Sequence, residues 1–208
     1  MRATVIGAGI GGLTTAIALR QVGVETKVFE QAGELREIGA GITLWANAMK
    51  ALRKLGTADA VLAAGAPVKG GEVRSWRGEV LCEVLYEAPA GALEKRYGVS
   101  VGLHQADLQT ALLSALPDDA VRLDASCEGF RQDEFGDTAL FADGREEHGD
   151  LLVGADGLDS VIRAQLFDDE RPVYAGYTAW RGVTGAGDDL FRTGWGSSRG
   201  VGERGSGC

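Results

Sequence analysis

Apolar and polar positions change period twice within the first 30 residues. A short β-branched run, Thr4-Val5-Ile6, gives way through glycines to apolar residues at helical spacing, and then to Glu25-Thr26-Lys27-Val28-Phe29-Glu30. Such a switch predicts strand, helix, strand. The helix is expected to start near Ile10, and Glu30 to close the second strand.

Further along, Arg36 to Ile42 reads as a glycine-punctuated loop, and Leu44 to Leu55 as an amphipathic helix. Residues 72–76 and 79–85 alternate as two strands about an Arg77-Gly78 turn. A hairpin does not suit a doubly wound sheet, so it is expected to begin a separate antiparallel layer. Ala106 to Leu116 carries Leu108, Ala111, Leu112 and Ala115 on one helical face, with Pro117 as the stop. Val121-Arg122-Leu123 then reads as a third parallel strand. Three short strands are expected between Ser126 and His148, turning at Gly136-Asp137 and Asp143-Gly144. Asp150 to Gly157 is a buried strand ending in an acid-glycine turn, and Asp159-Ser160 caps a helix running to about Leu166. Val173 to Val183 resumes a strand pattern. The last fifteen residues lose all periodicity, and a disordered tail is expected there.

The glycines between the first strand and helix have the spacing Gly7-x-Gly9-x-x-Gly12. Gly7 permits the sharp turn, Gly9 lets a pyrophosphate approach the backbone, and Gly12 lets helix and strand pack closely. The phosphates of a dinucleotide would then meet the free N–H groups and positive dipole end of the helix. Glu30, 18 positions after Gly12, is placed to accept hydrogen bonds from a ribose hydroxyl pair and would repel a 2′-phosphate. FAD or NAD is therefore expected in preference to NADP. The same glycines interrupt the apolar stretch too often for a signal peptide.

With 208 residues, the chain has room for one large domain or one domain and part of another. A formal charge of -9 argues against nucleic acid or anionic membrane as partner, and no run approaches the roughly 20 apolar residues of a membrane span. Cys82, Cys127 and Cys208 are widely spaced and fit reduced thiols of a cytoplasmic protein. His104 and His148 are the only histidines, too few for a metal site or a nucleophile-base pair. A small-molecule ligand fits best, and no metal or catalytic side chain is assigned.

In order and spacing, Gly7-Ala-Gly-Ile-Gly-Gly-Leu13, Glu30, Arg36 with Gly39-Ala-Gly41-Ile42, His104-Gln-Ala-Asp107-Leu108, and Gly154-Ala-Asp156-Gly157 with Ser160-Val-Ile-Arg163 resemble the FAD-dependent aromatic hydroxylases. These are single-component flavoprotein monooxygenases of the para-hydroxybenzoate and salicylate hydroxylase type, and the resemblance covers residues 1 to about 183. It implies an α/β fold: a Rossmann-like FAD-binding domain with a βαβ start, a β-meander crossover and part of an antiparallel substrate-side sheet. The implied cofactor-binding residues are Gly7, Gly9, Ile10, Gly11, Gly12, Glu30, Gln31, Arg36, Gly41, Ile42, Gln105, Asp156 and Gly157. Arg36 would approach the pyrophosphate or ribityl region, with a solvated loop arginine as the alternative. The Asp156-Gly157 turn would match the family's second fingerprint, and a helix-capping turn is compatible with that. Gln105 stands where the family usually has an arginine, which retains hydrogen bonding but removes a charge.

The implied reaction hydroxylates a small aromatic molecule, with NADH or NADPH reducing FAD and a flavin hydroperoxide delivering the oxygen. Substrate-side candidates are Leu44, Trp45 and Asn47 near the flavin ring, and Tyr177, Trp180 and Arg181 on the late strand, where the aromatics are equally suited to core packing. The expected domains are 1–70 with 100–168 for FAD, 71–99 with 169–190 for the substrate layer, and 191–208 as a tail. The family's third Gly-Asp fingerprint falls beyond Cys208, and the run after Trp195 departs from the family's continuation. A C-terminal truncation or frameshift is accordingly expected, with an inactive nucleotide-binding remnant or another flavin oxidoreductase as alternatives. An incomplete sheet would expose apolar surface and favour self-association.

Overall fold

A computed structural model describes residues 1–35, 41–68, 70–85, 98–167, 172–178 and 195–201. β1 (Arg2–Ile6), α1 (Ile10–Gln21) and β2 (Glu25–Phe29) realise the opening strand-helix-strand unit. Arg2 to Ile6 pairs in parallel with Glu25 to Phe29, the two strands being joined by a helical crossover.

The next elements are β3 (Gly41–Leu44), α2 (Ala46–Lys54), α3 (Ala58–Ala64), β4 (Ala66–Pro67), β5 (Gly70–Ser75), β6 (Val80–Leu85) and β7 (Val101–His104). They are followed by α4 (Gln105–Leu113), β8 (Val121–Arg122), β9 (Cys127–Asp133), β10 (Gly136–Phe141), β11 (Glu146–Gly149), β12 (Leu151–Gly154), α5 (Val161–Phe167) and β13 (Trp195–Val201). β12, β1, β2 and β8 form one parallel sheet in that order, and β11, β10 and β9 form the expected meander. The fold is thus mixed α/β about a parallel sheet.

One compact unit falls within Met1–Ile38 and Ala106–Trp180, the other within Gly39–Gln105 and Arg181–Cys208. In the first, Ile6, Phe29, Ala125, Ala139, Phe141 and Ile162 form a buried cluster, with the Phe29 and Phe141 rings 4.8 Å apart at their centroids. This cluster fastens the meander and α5 to the parallel sheet. Cys127 packs against it, and burial pushes its thiol above the ordinary range. Asp137, buried in β10, accepts hydrogen bonds from the Leu152 N–H at 3.1 Å and the Gln132 amide at 2.9 Å, joining meander to β12.

The second unit departs from the expected boundaries. Residues 41–68 belong with it, because Gly41–Leu44 pairs antiparallel with Val101–His104 and Ala66–Pro67 pairs with the same strand. Met49, Leu52 and Val61 bury the inner faces of α2 and α3 in this unit. Gly65 approaches Val101 so closely that a methyl carbon there would lie 2.5 Å from its side chain. The anticipated hairpin is present as β5 and β6.

Two expectations for the C-terminal region change. Pro172 to Thr178 carry no strand, and the rest of the expected 173–183 strand lies outside the described residues. Trp195–Val201 forms a strand pairing in parallel with β5, where a disordered tail is expected. Its pairing uses backbone N–H and C=O groups, which glycine and serine carry as well as any residue, so apolar periodicity is no guide there. No helix among the described residues is long and apolar enough to cross a membrane.

Candidate functional site

The turn from β1 into α1 is shaped by two glycines for which no larger residue fits. Gly7 has φ +101°, and a methyl carbon there would lie 2.4 Å from the Ala155 carbonyl oxygen on the neighbouring corner. One on Gly12 would lie 1.8 Å from the Gly7 carbonyl oxygen. Gly9 and Gly11 are different, since a methyl on either would meet nothing within 4 Å. Close packing on one side and open space on the other leave a backbone cradle at the start of the helix.

That cradle is electropositive. Gly9 is the N-cap residue and offers no side-chain hydrogen bond, and the first turn of α1 contains no acid. The first helical bond runs from the Leu13 N–H to the Gly9 carbonyl at 3.0 Å. The N–H groups of Ile10, Gly11 and Gly12 precede it, and an α-helix gives such groups no acceptor of its own. The donor set suits a phosphate pair, so the residues present fit the dinucleotide inferred from their spacing.

Glu30, just beyond β2, accepts hydrogen bonds from the Ala8 N–H at 2.8 Å and the Ala32 N–H at 3.0 Å. Its carboxylate therefore lies beside the cradle and steadies it. A carboxylate has about four lone-pair positions, so these two bonds leave capacity for hydroxyl donors. Gln31, the next residue, is exposed.

At the end of β12 the Ala155 N–H donates to the Ile6 carbonyl at 2.8 Å, which sets the Asp156-Gly157 turn beside the glycine loop. Asp156 accepts from the Ser160 hydroxyl at 2.6 Å and from the Val161 and Ile162 N–H groups at 2.8 and 3.3 Å. Ser160 accepts from the Arg163 N–H at 2.9 Å, and the Arg163 guanidinium reaches the Leu158 carbonyl at 2.6 Å. The capping alternative for Asp156 is thus realised in full.

Gly41 and Ile42 lie on β3, with Gly41 opposite His104, and Gln105 is the exposed first residue of α4. Leu44 is buried at 8% exposure, Trp45 is 44% exposed and Asn47 is exposed at the start of α2. Tyr177 is 74% exposed. Arg36, Trp180 and Arg181 lie outside the described residues. One contributor has no sequence signal: Gln109 on α4 donates its side-chain amide to the Ala8 carbonyl at 2.9 Å across 101 positions.

Residues 1–184 match the family model described as FAD binding domain. The chain belongs to the FAD-binding domain family. It is 43% identical over 201 residues to an aurachin C monooxygenase/isomerase of Stigmatella aurantiaca, covering 96% of this chain and 51% of that protein. To the 6-hydroxynicotinate 3-monooxygenase of Pseudomonas fluorescens it is 37% identical, covering 88% of this chain and 47% of that one. The structure of Klebsiella pneumoniae HpxO complexed with FAD and uric acid superimposes with a TM-score of 0.71 at 34% identity, over 79% of this chain and 41% of that chain. This member of the FAD-binding domain family spans about half the length of the curated relatives it matches. The relatives it matches are named as monooxygenases and as FAD-dependent hydroxylases.

Proposed function

We propose that this chain binds FAD, with the adenosine diphosphate part over Gly7, Gly9, Ile10, Gly11 and Gly12 and the ribose at Glu30. On this reading it serves the hydroxylation of a small aromatic molecule, with NADH or NADPH as reductant. The observation that carries it is the uncapped start of α1, open above Gly9 and Gly11 and flanked by the Glu30 carboxylate. Bound flavin supplies hydride acceptance and dioxygen activation, leading to transfer of one oxygen atom to the ring. The protein binds and orients: helix N–H groups take the phosphates, Glu30 takes ribose hydroxyls, and Asp156 shapes the second turn through its hold on α5.

Residues 1–70 with 100–168 are kept as the proposed FAD-binding segments, and 71–99 with 169–190 as the proposed substrate side. Gln31, Arg36, Gly41, Ile42, Gln105 and Gly157 complete the proposed cofactor set. Leu44, Asn47, Tyr177, Trp180 and Arg181 remain the substrate-side proposal; the exposure of Asn47 and Tyr177 favours these two over the buried Leu44. Similar proteins act on 3-amino-4-hydroxybenzoate, 6-hydroxynicotinate and urate by name, which supports a small ring bearing electron-donating groups. The free thiols of Cys82 and Cys127 fit a reducing, cytoplasmic setting.

The test is a visible spectrum after incubation with FAD and desalting, followed by NADH or NADPH under air. A retained flavin band that bleaches and returns is expected, and a colourless protein would overturn the reading. Exposed Leu166, Phe167, Val173 and Tyr174 favour self-association, which light scattering would detect. A monodisperse monomer at high concentration counts against it.

A further inference from the structure

The Ala8–Gly9 peptide is the pivot of the glycine loop, and both sides of Ala8 are held by side chains from elsewhere in the unit. Its N–H donates to Glu30 at 2.8 Å, and its carbonyl accepts from the Gln109 amide at 2.9 Å. Ala8 itself is fully buried. In a trans peptide, the carbonyl of one residue and the N–H of the next point in opposite directions. A donor that fixes the Ala8 carbonyl therefore fixes the direction of the Gly9 N–H, on the side away from Gln109.

That restraint matters because glycines flank the peptide. Gly7 sits at positive φ and Gly9 in extended backbone, and glycine allows such a peptide to rotate at little steric cost. Gln109 is itself well placed to impose order. Its neighbours Leu108 and Leu112 are wholly buried and anchor α4, so the amide is presented from a rigid support.

We propose that Gln109 is a positioning residue for the dinucleotide loop: by clasping the Ala8 carbonyl from α4, it preorganises the backbone donors that receive the cofactor's phosphates. The proposal rests on the flavin-binding reading for its ligand, but its effect on the loop exists without one.

Gln109→Leu removes the donor and leaves the Ala8 carbonyl unpaired. Gln109→Glu keeps the length while replacing donor by acceptor, and serves if the leucine variant does not fold. A control is Gln165→Leu, which deletes a comparable clasp: the Gln165 amide donates to the Phe130 carbonyl at 2.7 Å and accepts its N–H at 3.0 Å. In the ligand-free full chain, amide hydrogen exchange at Ala8 to Gly12 should quicken about fivefold in the Gln109 variant and stay unchanged in the control. FAD and ADP affinities, read by titration, should fall about fivefold in the former and hold within about twofold in the latter. Equal exchange and equal affinity in the two variants would overturn the proposal. Wild-type protein that takes neither FAD nor ADP would overturn the flavin reading instead, and the exchange comparison would still decide whether Gln109 sets the loop.

Discussion

β1 and β12 lie side by side in the parallel sheet, and each runs through a glycine turn into a helix. At the end of β12, Asp156 and Ser160 occupy the first N–H groups of α5, three of them by direct hydrogen bonds. At the end of β1, α1 begins on Gly9 with no side-chain cap and no acid in its first turn. The two corners obey the same rule about unpaired helix donors and satisfy it differently. One is closed by its own carboxylate; the other leaves its donors available to an anionic ligand. A glycine cap is worth only about a few tenths of a kcal/mol less than an acidic one, so leaving the start of α1 open beside Glu30 costs the fold little and keeps its donors for an anionic ligand.

The largest expected effect comes from forcing the open corner apart. Gly12→Ala places a carbon 1.8 Å from the Gly7 carbonyl oxygen, backbone that cannot swing aside. A loss of about 3 kcal/mol is expected from urea denaturation. A loss well below that would mean that α1 and β1 separate more easily than their packing implies.

Removing the cap of the closed corner comes next. Asp156→Ala deletes its three accepted hydrogen bonds and should cost about 2 kcal/mol, with quicker exchange at Val161 and Ile162. Flavin affinity should change far less than stability. The reverse outcome would mean that the carboxylate serves the cofactor directly, and the contrast between the corners would lose half its basis.

Making the open corner resemble the closed one is the sharpest comparison. Gly9→Asp adds a capping carboxylate where a side chain meets nothing within 4 Å. Stability should hold within about 0.5 kcal/mol, because an N-cap acid replaces a tolerated glycine. Affinity for FAD and ADP should fall at least about tenfold, since the new charge occupies the phosphate site and repels its ligand. Unchanged affinity would place the phosphates elsewhere.

Much of the first unit was legible because local pattern and tertiary role coincide there. Thr4 to Glu30 shows strand, helix and strand by its own periods, and β10 alternates inward and outward along its whole length. The second unit was harder to read. β3, β4 and β7 have four residues or fewer, too short for alternation to register, and α3 is largely alanine with no polar stripe. Their existence depends on mutual pairing, which no short window of sequence contains. The same holds within the site: the glycines and Glu30 announce themselves by spacing, whereas Gln109 reaches Ala8 only once α4 has docked.

The contrast between the corners assumes that an unsatisfied polar group persists only where something outside the protein can meet it. Thr26 on β2 tests that assumption, since its hydroxyl is 2% exposed at the residue level and lacks a hydrogen-bond partner among the described residues. Nothing about its place in the middle of the parallel sheet offers a ligand. If burial without a partner carries its usual cost, Thr26→Val should stabilise the fold by about 1 kcal/mol, because a methyl of similar size replaces the hydroxyl. Thermal and urea unfolding would both register it. A destabilisation would mean that a bound water completes the site, and that an uncapped helix start need not await a ligand either. Stabilisation would leave Thr26 as a tolerated cost in the interior and set it apart from the uncapped start of α1, which lies at the surface beside Glu30.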